Sequence, residues 1–246
     1  SAMLPLYTFT SAYGVPDLSP FVTKVATWLR IAGVAHETAP GDPRRAPKGK
    51  LPYIDHDGIV LSDSSFILEY LSRVFELDLD AGMSAREQSL AHTMQCMLEE
   101  HLYFTILYLR WKDARGWAVM KPEVAAMAGR IGVPGPLRGA VAAMVRRGPL
   151  RALKAQGMGR HTVDEVETLA CRDLDALVTL LGDGPFFFGD RPRTFDAIAW
   201  AFVQGIRRVP IDNRPRALVL DSPTLNAWAD RIEAAYWPEF VPGAPG

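Results

Sequence analysis

The sequence predicts an α/β domain over residues 4–76 followed by an all-helical domain over residues 84–237, and three observations predict it. Short β-rich runs alternate with two amphipathic helical stretches as far as residue 76. Leu77 to Gly82 is a short polar linker. From Ser84 onward the apolar positions recur at helical spacing.

Taking the elements in order, Leu4 to Thr10 is β-rich and reads as a first strand, and Ser11 to Leu18, with Gly14 and Pro16, reads as a loop. Phe21, Val22, Val25, Ala26, Leu29 and Ala32 mark one face of a helix that opens on Ser19 as N-cap and Pro20 at the first position, and that Gly33 ends. Ala35 to Pro40 is a weak second strand, and Gly41 to Lys50 is irregular. Leu51-Pro52 then opens a pair of short apolar runs around Asp57-Gly58, a strong hairpin signal because a type I′ turn needs positive φ at both central residues. Ser62, Asp63, Ser64 and Ser65 stand before Phe66, Ile67, Tyr70, Leu71, Val74 and Phe75, a helical stripe with a capping residue ahead of it.

In the second half, Leu90, Met94, Met97, His101, Phe104, Tyr108 and Trp111 recur at steps of four and three, which predicts one long amphipathic helix. Lys121 to Arg160 carries repeated Gly and Pro and reads as short helices and loops. Val163 to Leu181 is again amphipathic and closes on Gly182, and Ser222-Pro223 starts a last helix. Residues 238–246 read as a tail.

Composition excludes several function classes. With 27 basic against 28 acidic residues among 246, the chain has no electrostatic footprint for nucleic acid or an anionic membrane. The one basic cluster, Arg138 to Lys154, is interleaved with Ala, Val and Leu and reads as helix solvation. No apolar run approaches a membrane span, Ser1-Ala2 ahead of Met3 reads as a cloning scar, and no signal peptide is seen. Cys96 and Cys171, each in an apolar helical pattern, read as reduced core residues of a cytoplasmic protein. The five histidines show no metal-ligand spacing, and there is no glycine-rich phosphate loop or Gly-x-Ser-x-Gly elbow, so no metal is expected. His101, on an apolar stripe, reads as a satisfied core or interdomain histidine.

The stretch from Leu51 to Leu71 carries the chemistry. The residue before Pro52 is held extended with its N–H and C=O outward, and the helix starting near Asp63-Ser64 points its first N–H groups toward the same side. An extended backbone edge beside a helix N-terminus can hold a short peptide with an anionic end. Alternatively, Pro52 only stiffens a turn, and Asp63 and Ser64 only cap a helix.

This pattern resembles the glutathione transferase family, and the order strand, helix, strand, irregular segment, two strands, helix resembles its thioredoxin-like domain. The match within it is to the branch of failed axon connections and metaxin-like proteins. It rests on Ser19-Pro20-Phe21 with Lys24, Thr27-Trp28-Leu29-Arg30 and Gly33, then Pro47-Lys48-Gly49-Lys50-Leu51-Pro52-Tyr53-Ile54 and Asp63-Ser64. The resemblance implies a thioredoxin-like domain followed by an all-α domain, a homodimer, and glutathione as co-substrate. The cysteinyl part of glutathione would lie along Leu51 before a cis-Pro52, with its γ-glutamyl end at Asp63 and Ser64. Lys50 is either a partner for the glycyl carboxylate or a solvated lysine.

The thiolate is the nucleophile in such chemistry. Lowering a thiol pKa from ~8.5 by about two units needs roughly 2.7 kcal/mol of preferential thiolate stabilisation. Ser19, at a helix start, can give a hydroxyl hydrogen bond beside free helix N–H groups, and it stands where cysteine-type relatives carry Cys-Pro-Phe. It is otherwise a plain N-cap. Tyr7 and Tyr13 are weaker donors. Tyr13, Tyr103, Tyr108 and Trp111, with Arg110 and Trp237, would wall a pocket for a small apolar electrophile, or else they belong to the core. Pro185 to Trp200 resembles the turn and buried helix of the transferase C-terminal domain, but Arg193 stands where that motif has a capping Ser or Thr, so Thr194 caps or the motif is degraded. A non-catalytic binding or scaffold protein on this fold, or a glutathione-dependent isomerase or reductive lyase, would carry the same signals.

Overall fold

A computed structural model describes residues 3–245. Four strands, β1 (Leu4–Thr8), β2 (His36–Pro40), β3 (Tyr53–His56) and β4 (Ile59–Ser62), form one sheet in the order β2-β1-β3-β4. β1 pairs parallel with β2, and a parallel neighbour requires a crossover, which α1 (Pro20–Ala32) provides. β3 runs antiparallel to β1, with Leu6 opposite Ile54 and Tyr7 opposite Tyr53, so the two tyrosine rings stack at 4.4 Å. The β3–β4 turn has Asp57 and Gly58 at φ 52° and 87°, as the Asp-Gly signal requires.

α1 begins and ends on local signals: Ser19 caps it, Pro20 opens it, and Gly33 closes it at φ 71°. Nine consecutive or near-consecutive residues of α1, from Pro20 to Leu29, are buried, so this helix is covered nearly all round. The sheet and α2 (Ser64–Val74) cover one side; α8 (Thr194–Arg208) and α10 (Pro223–Tyr236) cover the other. Trp28 Nε1–H donates to Thr194 Oγ1 at 3.3 Å, and Trp237 Nε1–H to Thr27 Oγ1 at 3.2 Å, which ties α1 to the helical half. On α2 the predicted stripe is split: Ile67 and Leu71 are buried, while Phe66, Val74 and Phe75 are exposed.

The helical half starts at α3 (Ala85–Cys96), opened by a capping box in which Ser84 and Glu87 satisfy each other's backbone N–H groups. It continues without a break through a π-helical stretch Met97–Leu102, α4 (Tyr103–Leu107) and a second π-helical stretch Tyr108–Lys112. The predicted long helix is therefore present but changes phase twice, because each π turn holds more than 3.6 residues. The expectation of short helices and loops over 121–160 is overturned by α5 (Ala114–Arg130) and the 22-residue α6 (Gly135–Gln156), with Pro122 and Pro149 inside them. Residues 131–134 separate the two helices, and Gly157 ends α6 ahead of a 3-10 turn Met158–Arg160; packing of α5 on α6 outweighs the lost N–H at each proline. α7 (Val163–Leu181), α9 (Arg214–Asp221), which was not foreseen, and α10 complete the set.

α8 is the core of this half, buried continuously from Phe195 to Gly205. Arg193 at its start does not cap it; the guanidinium reaches Leu79 and Ala81 carbonyls across the linker instead. Thr194 does not cap it either. Its N–H is taken by Asp80 Oδ1 at 3.0 Å, and Asp196 accepts from Arg193 N–H at 2.8 Å, Phe187 N–H at 3.2 Å and Trp228 Nε1–H at 2.9 Å.

Three further expectations are corrected. Cys96 is exposed and Cys171 half-buried, so neither thiol is a core residue. Trp237 is a core residue: it is buried, stacked on Trp200, with the Arg30 guanidinium 3.5 Å above its ring. The end of the chain is not wholly a free tail, because Phe240 packs on Trp237 and Glu239 pairs with Arg30. His101 bonds Asp173 at 2.5 Å, bridging the long helix to α7. No helix among the described residues is long and apolar enough to cross a membrane, and no cluster of metal-ligand side chains is found among them.

Candidate active site

A cleft of about 480 Å³ lies between the sheet domain and the long helix. One wall is made by the loop before α1 and the segment before β3, with Ser19, Pro20, Phe21, Lys50 and Leu51 facing it. The peptide bond Leu51-Pro52 is cis, and neither the N–H nor the C=O of Leu51 makes a hydrogen bond among the described residues. That leaves a free donor and acceptor at the cleft edge, in the bend just ahead of β3, for an incoming backbone. The other wall comes mainly from the long helix: Tyr103, Phe104, Leu107 and Trp111 make it aromatic and apolar, Glu99, Glu100 and Arg110 add charge, and Met120 and Pro149 complete it.

Ser19 is half-buried, and its Oγ accepts the Val22 N–H at 3.4 Å. A hydroxyl that accepts the cap bond still has its own proton to donate, and it sits where the α1 dipole favours negative charge. The loop leading to it is pinned at each residue. Asp17 is buried and takes the Ser19 N–H at 2.8 Å and the Phe9 N–H at 3.0 Å; Leu18 N–H bonds Thr10 C=O at 2.8 Å. Arg110, from the second π-helical stretch, donates to Leu18 C=O at 2.5 Å while lining the cleft. Burial pushes the Asp17 carboxyl up to about 7 against the pull of its N–H donors and Arg110, and pushes the Arg110 guanidinium down to about 10.

At the start of α2, Asp63 is exposed and caps by accepting from Ser65 and Phe66 N–H groups, at φ 75°, a conformation costly for a non-glycine residue. Ser64 beside it is buried, and its hydroxyl accepts from Lys24 Nζ at 2.9 Å. Lys24, wholly buried on α1, also reaches Ser65 Oγ at 2.9 Å and Glu99 Oε1 at 2.6 Å. Glu99 lines the cleft, so this buried network joins the α2 N-terminus to the cleft wall. Burial lowers the Lys24 pKa, and Glu99 opposes that shift.

Family models described as glutathione S-transferase N-terminal domain and glutathione S-transferase C-terminal domain match residues 20–116 and 170–232. The isoprene-epoxide–glutathione S-transferase of Rhodococcus sp. strain AD45 is 34% identical over 240 residues, covering 95% of this chain and 99% of that one. This chain belongs to the glutathione S-transferase family. The foreseen branch is also present among its relatives. Failed axon connections of Drosophila melanogaster is 33% identical over 84% of this chain, which spans 51% of that longer protein, and metaxin-1 of Sus scrofa is 25% identical over 97% of this chain and 76% of that one. In fold, a glutathione S-transferase from Methylobacterium radiotolerans, solved with glutathione sulfonate, superposes with a TM-score of 0.60 at 20% identity, over 99% of this chain and 95% of that one.

Within this glutathione S-transferase fold the cleft gathers Ser19, Lys50, Leu51, Tyr103 and Trp111, while Pro52, Asp63 and Ser64 are not among its lining residues. Two expected pocket residues are elsewhere. Tyr13 sits at φ 55° with its hydroxyl donating to Val119 C=O at 2.7 Å, and Tyr108 is buried against Leu153 and Met158 with its hydroxyl on His161 C=O at 2.8 Å. The second follows from helix geometry: five residues of α-helix separate Tyr103 from Tyr108, about 140° round the axis, so the two face different sides, and the π turn after Tyr108 shifts the phase of Trp111 instead. Tyr7 is held in the sheet against Tyr53.

Asp17, Glu99 and the role of Arg110 beside Ser19 were missed. Only Lys24 left a signal, as a charge four residues from both Pro20 and Trp28 on the apolar face of α1.

Proposed function

We propose that this protein is a glutathione transferase that binds glutathione along Leu51 and the α2 N-terminus and activates its thiol with Ser19. The observation that carries the reading is the Ser19 hydroxyl, at the N-terminus of α1, in the same cleft as the unpaired backbone of Leu51. Lys50, exposed at the cleft edge, would meet the glycyl carboxylate. The thiolate sulfur would attack a carbon of a small apolar electrophile seated against Tyr103, Phe104 and Trp111. The likeness to an isoprene-epoxide transferase supports an epoxide as that electrophile. A C–S bond forms, the C–O bond of the ring breaks, and the alkoxide takes a proton from water.

Calorimetric titration of glutathione, with thiolate absorbance followed against pH, tests this. Wild type and Ser19→Ala are expected to bind alike, with the bound thiol pKa about one to two units higher in the variant and turnover at neutral pH down about tenfold or more, since a unit of pKa is 1.36 kcal/mol. Failure of both proteins to bind millimolar glutathione would leave the second reading, a non-catalytic binding protein on this fold, which the likeness to failed axon connections and metaxin-1 supports.

The same reading takes the protein to be a cytoplasmic homodimer. Its two free cysteines fit a reducing compartment. The surface offered to a second copy is the face of β4 and α2, which pack together and expose Ile59, Val60 and Phe66, the last at 53%. Phe66→Glu is expected to shift the sedimentation of a dimer to that of a monomer; an unchanged dimer would place the interface elsewhere.

A further inference from the structure

Among the described residues, one side chain of the helical half hydrogen-bonds residues 17–19, the segment that carries Ser19. Of the bonds that fix residues 17 to 19, all but one come from the sheet domain itself: Asp17 holds the Ser19 and Phe9 N–H groups, Thr23 Oγ1 donates to the Asp17 C=O, and Leu18 N–H bonds Thr10. The exception is Arg110, which holds the Leu18 C=O from across the cleft. Its guanidinium is 7% exposed and forms no ion pair at contact distance among the described residues. Burying a charge without such a partner costs several kcal/mol, and a neutral side chain of similar length would fill the space without that cost. At longer range Tyr103, and after it Asp17, oppose the effect of burial on the guanidinium, and Asp17 holds the backbone N–H of Ser19 in the same loop.

We propose that Arg110 and Asp17 act as a two-sided clamp on residues 17–19, so that the helical domain positions the Ser19 hydroxyl and thereby sets the reactivity of the bound thiol. This rests on thiol activation by Ser19 as proposed above. Arg110 is a positioning residue: it acts through Leu18 and Ser19. The long helix also supplies Tyr103, Phe104 and Trp111 to the electrophile wall, so the element that would feel the second substrate is the one that holds the activating serine. Seating of the electrophile and readiness of the thiol would then be coupled through Arg110.

Two variants test the clamp. Arg110→Met removes it. Gly205→Ala leaves the charge in place but sets a new Cβ 3.0 Å from Arg110 Nη2, so the guanidinium must give way by a few tenths of an ångström on an otherwise helix-favouring change. Amide hydrogen exchange at Ser19, measured without glutathione, is expected to quicken about tenfold in Arg110→Met and severalfold in Gly205→Ala. Unchanged exchange in a folded Gly205→Ala protein, or in Arg110→Met, would overturn the clamp whatever the protein's chemistry. With glutathione bound, Arg110→Met is expected to raise the thiol pKa by about one unit and lower kcat about tenfold, with KM for glutathione changed less than twofold. Adding it to Ser19→Ala is expected to raise the thiol pKa no further, because both act through one hydroxyl. An additive rise would overturn the positioning role and make Arg110 a direct electrostatic partner of the thiolate. If Ser19→Ala alone leaves the thiol unmoved, the activation reading fails, and the exchange result still decides the clamp.

Discussion

Replacing Glu99 with alanine is expected to cost about 3–5 kcal/mol of folding stability, the range for stripping one partner from a buried ion pair. Lys24 is wholly buried, and Glu99, 11% exposed, is the acid that faces it. Without that carboxylate the ammonium keeps only the two serine hydroxyls, neutral acceptors that cannot replace a charge. For a chain of this size the loss corresponds to a fall in Tm of about 10 °C. Lys24→Met is expected to cost less, because the remaining Glu99 borders the cleft and keeps the Gln95 amide at 2.7 Å.

The double variant should recover part of the Glu99→Ala loss, and a cycle with no coupling energy would refute the pairing. The pH dependence has a fixed sign. Burial sets the folded Lys24 pKa below its ordinary value, and Glu99 is the largest opposing influence. Removing Glu99 lowers the pKa further, so the unfolded chain binds more protons than the folded one over a wider window below about 10.5. Stability of Glu99→Ala should therefore rise with pH across that window, where wild type changes less. Because the same ammonium holds Ser64 and Ser65 at the start of α2, Lys24→Met should also weaken glutathione binding.

What the sequence disclosed and what it hid separate by range. The α1 boundaries, the Asp57-Gly58 turn and the Asp63 cap are each decided by residues within four positions of one another, where capping and turn chemistry act. Pro149 misled because helix-breaking by proline is a local penalty, and α6 is held by its packing on α5. Tyr108 misled because an aromatic near a pocket wall in sequence need not face it: five helical residues turn it about 140° from Tyr103, onto Leu153 and Met158. The charged network was hidden for a third reason. Lys24 and Glu99 are 75 positions apart, and Leu18 and Arg110 are 92 apart; a lone charge on an apolar face shows that a partner is needed without showing which. Arg193 shows a local rule failing without loss of the structure it serves, since Asp80 and Asp196 between them take the N–H groups at the start of α8.

Asp196→Ala is expected to be comparably severe, at roughly 3–6 kcal/mol, because it leaves two buried donors and one part-buried donor without an acceptor at about 1–3 kcal/mol each before any relaxation. The donors are the backbone N–H groups of Arg193 and Phe187 and the indole of Trp228, so the loss would loosen α8, the Phe187 turn and α10 together. Asp196→Asn should be milder: its carbonyl oxygen can keep Phe187 and Trp228, while its amide faces the Arg193 N–H and loses that bond. The carboxyl also carries a pH signature. Burial raises it from 3.8 to about 6, against the pull of those donors. Between these values the folded protein holds a proton that the unfolded chain has lost, so stability falls as pH rises from about 4 to about 6, by roughly 3 kcal/mol in full. Asp17, raised to about 7, adds a slope of the same sign in both proteins. Subtracting Asp196→Asn from wild type therefore isolates Asp196: the stability advantage of wild type should be largest near pH 4 and shrink to a plateau above pH 6. An advantage that instead grows with pH would mean that Asp196 is ionised throughout and that its three donors outweigh its burial.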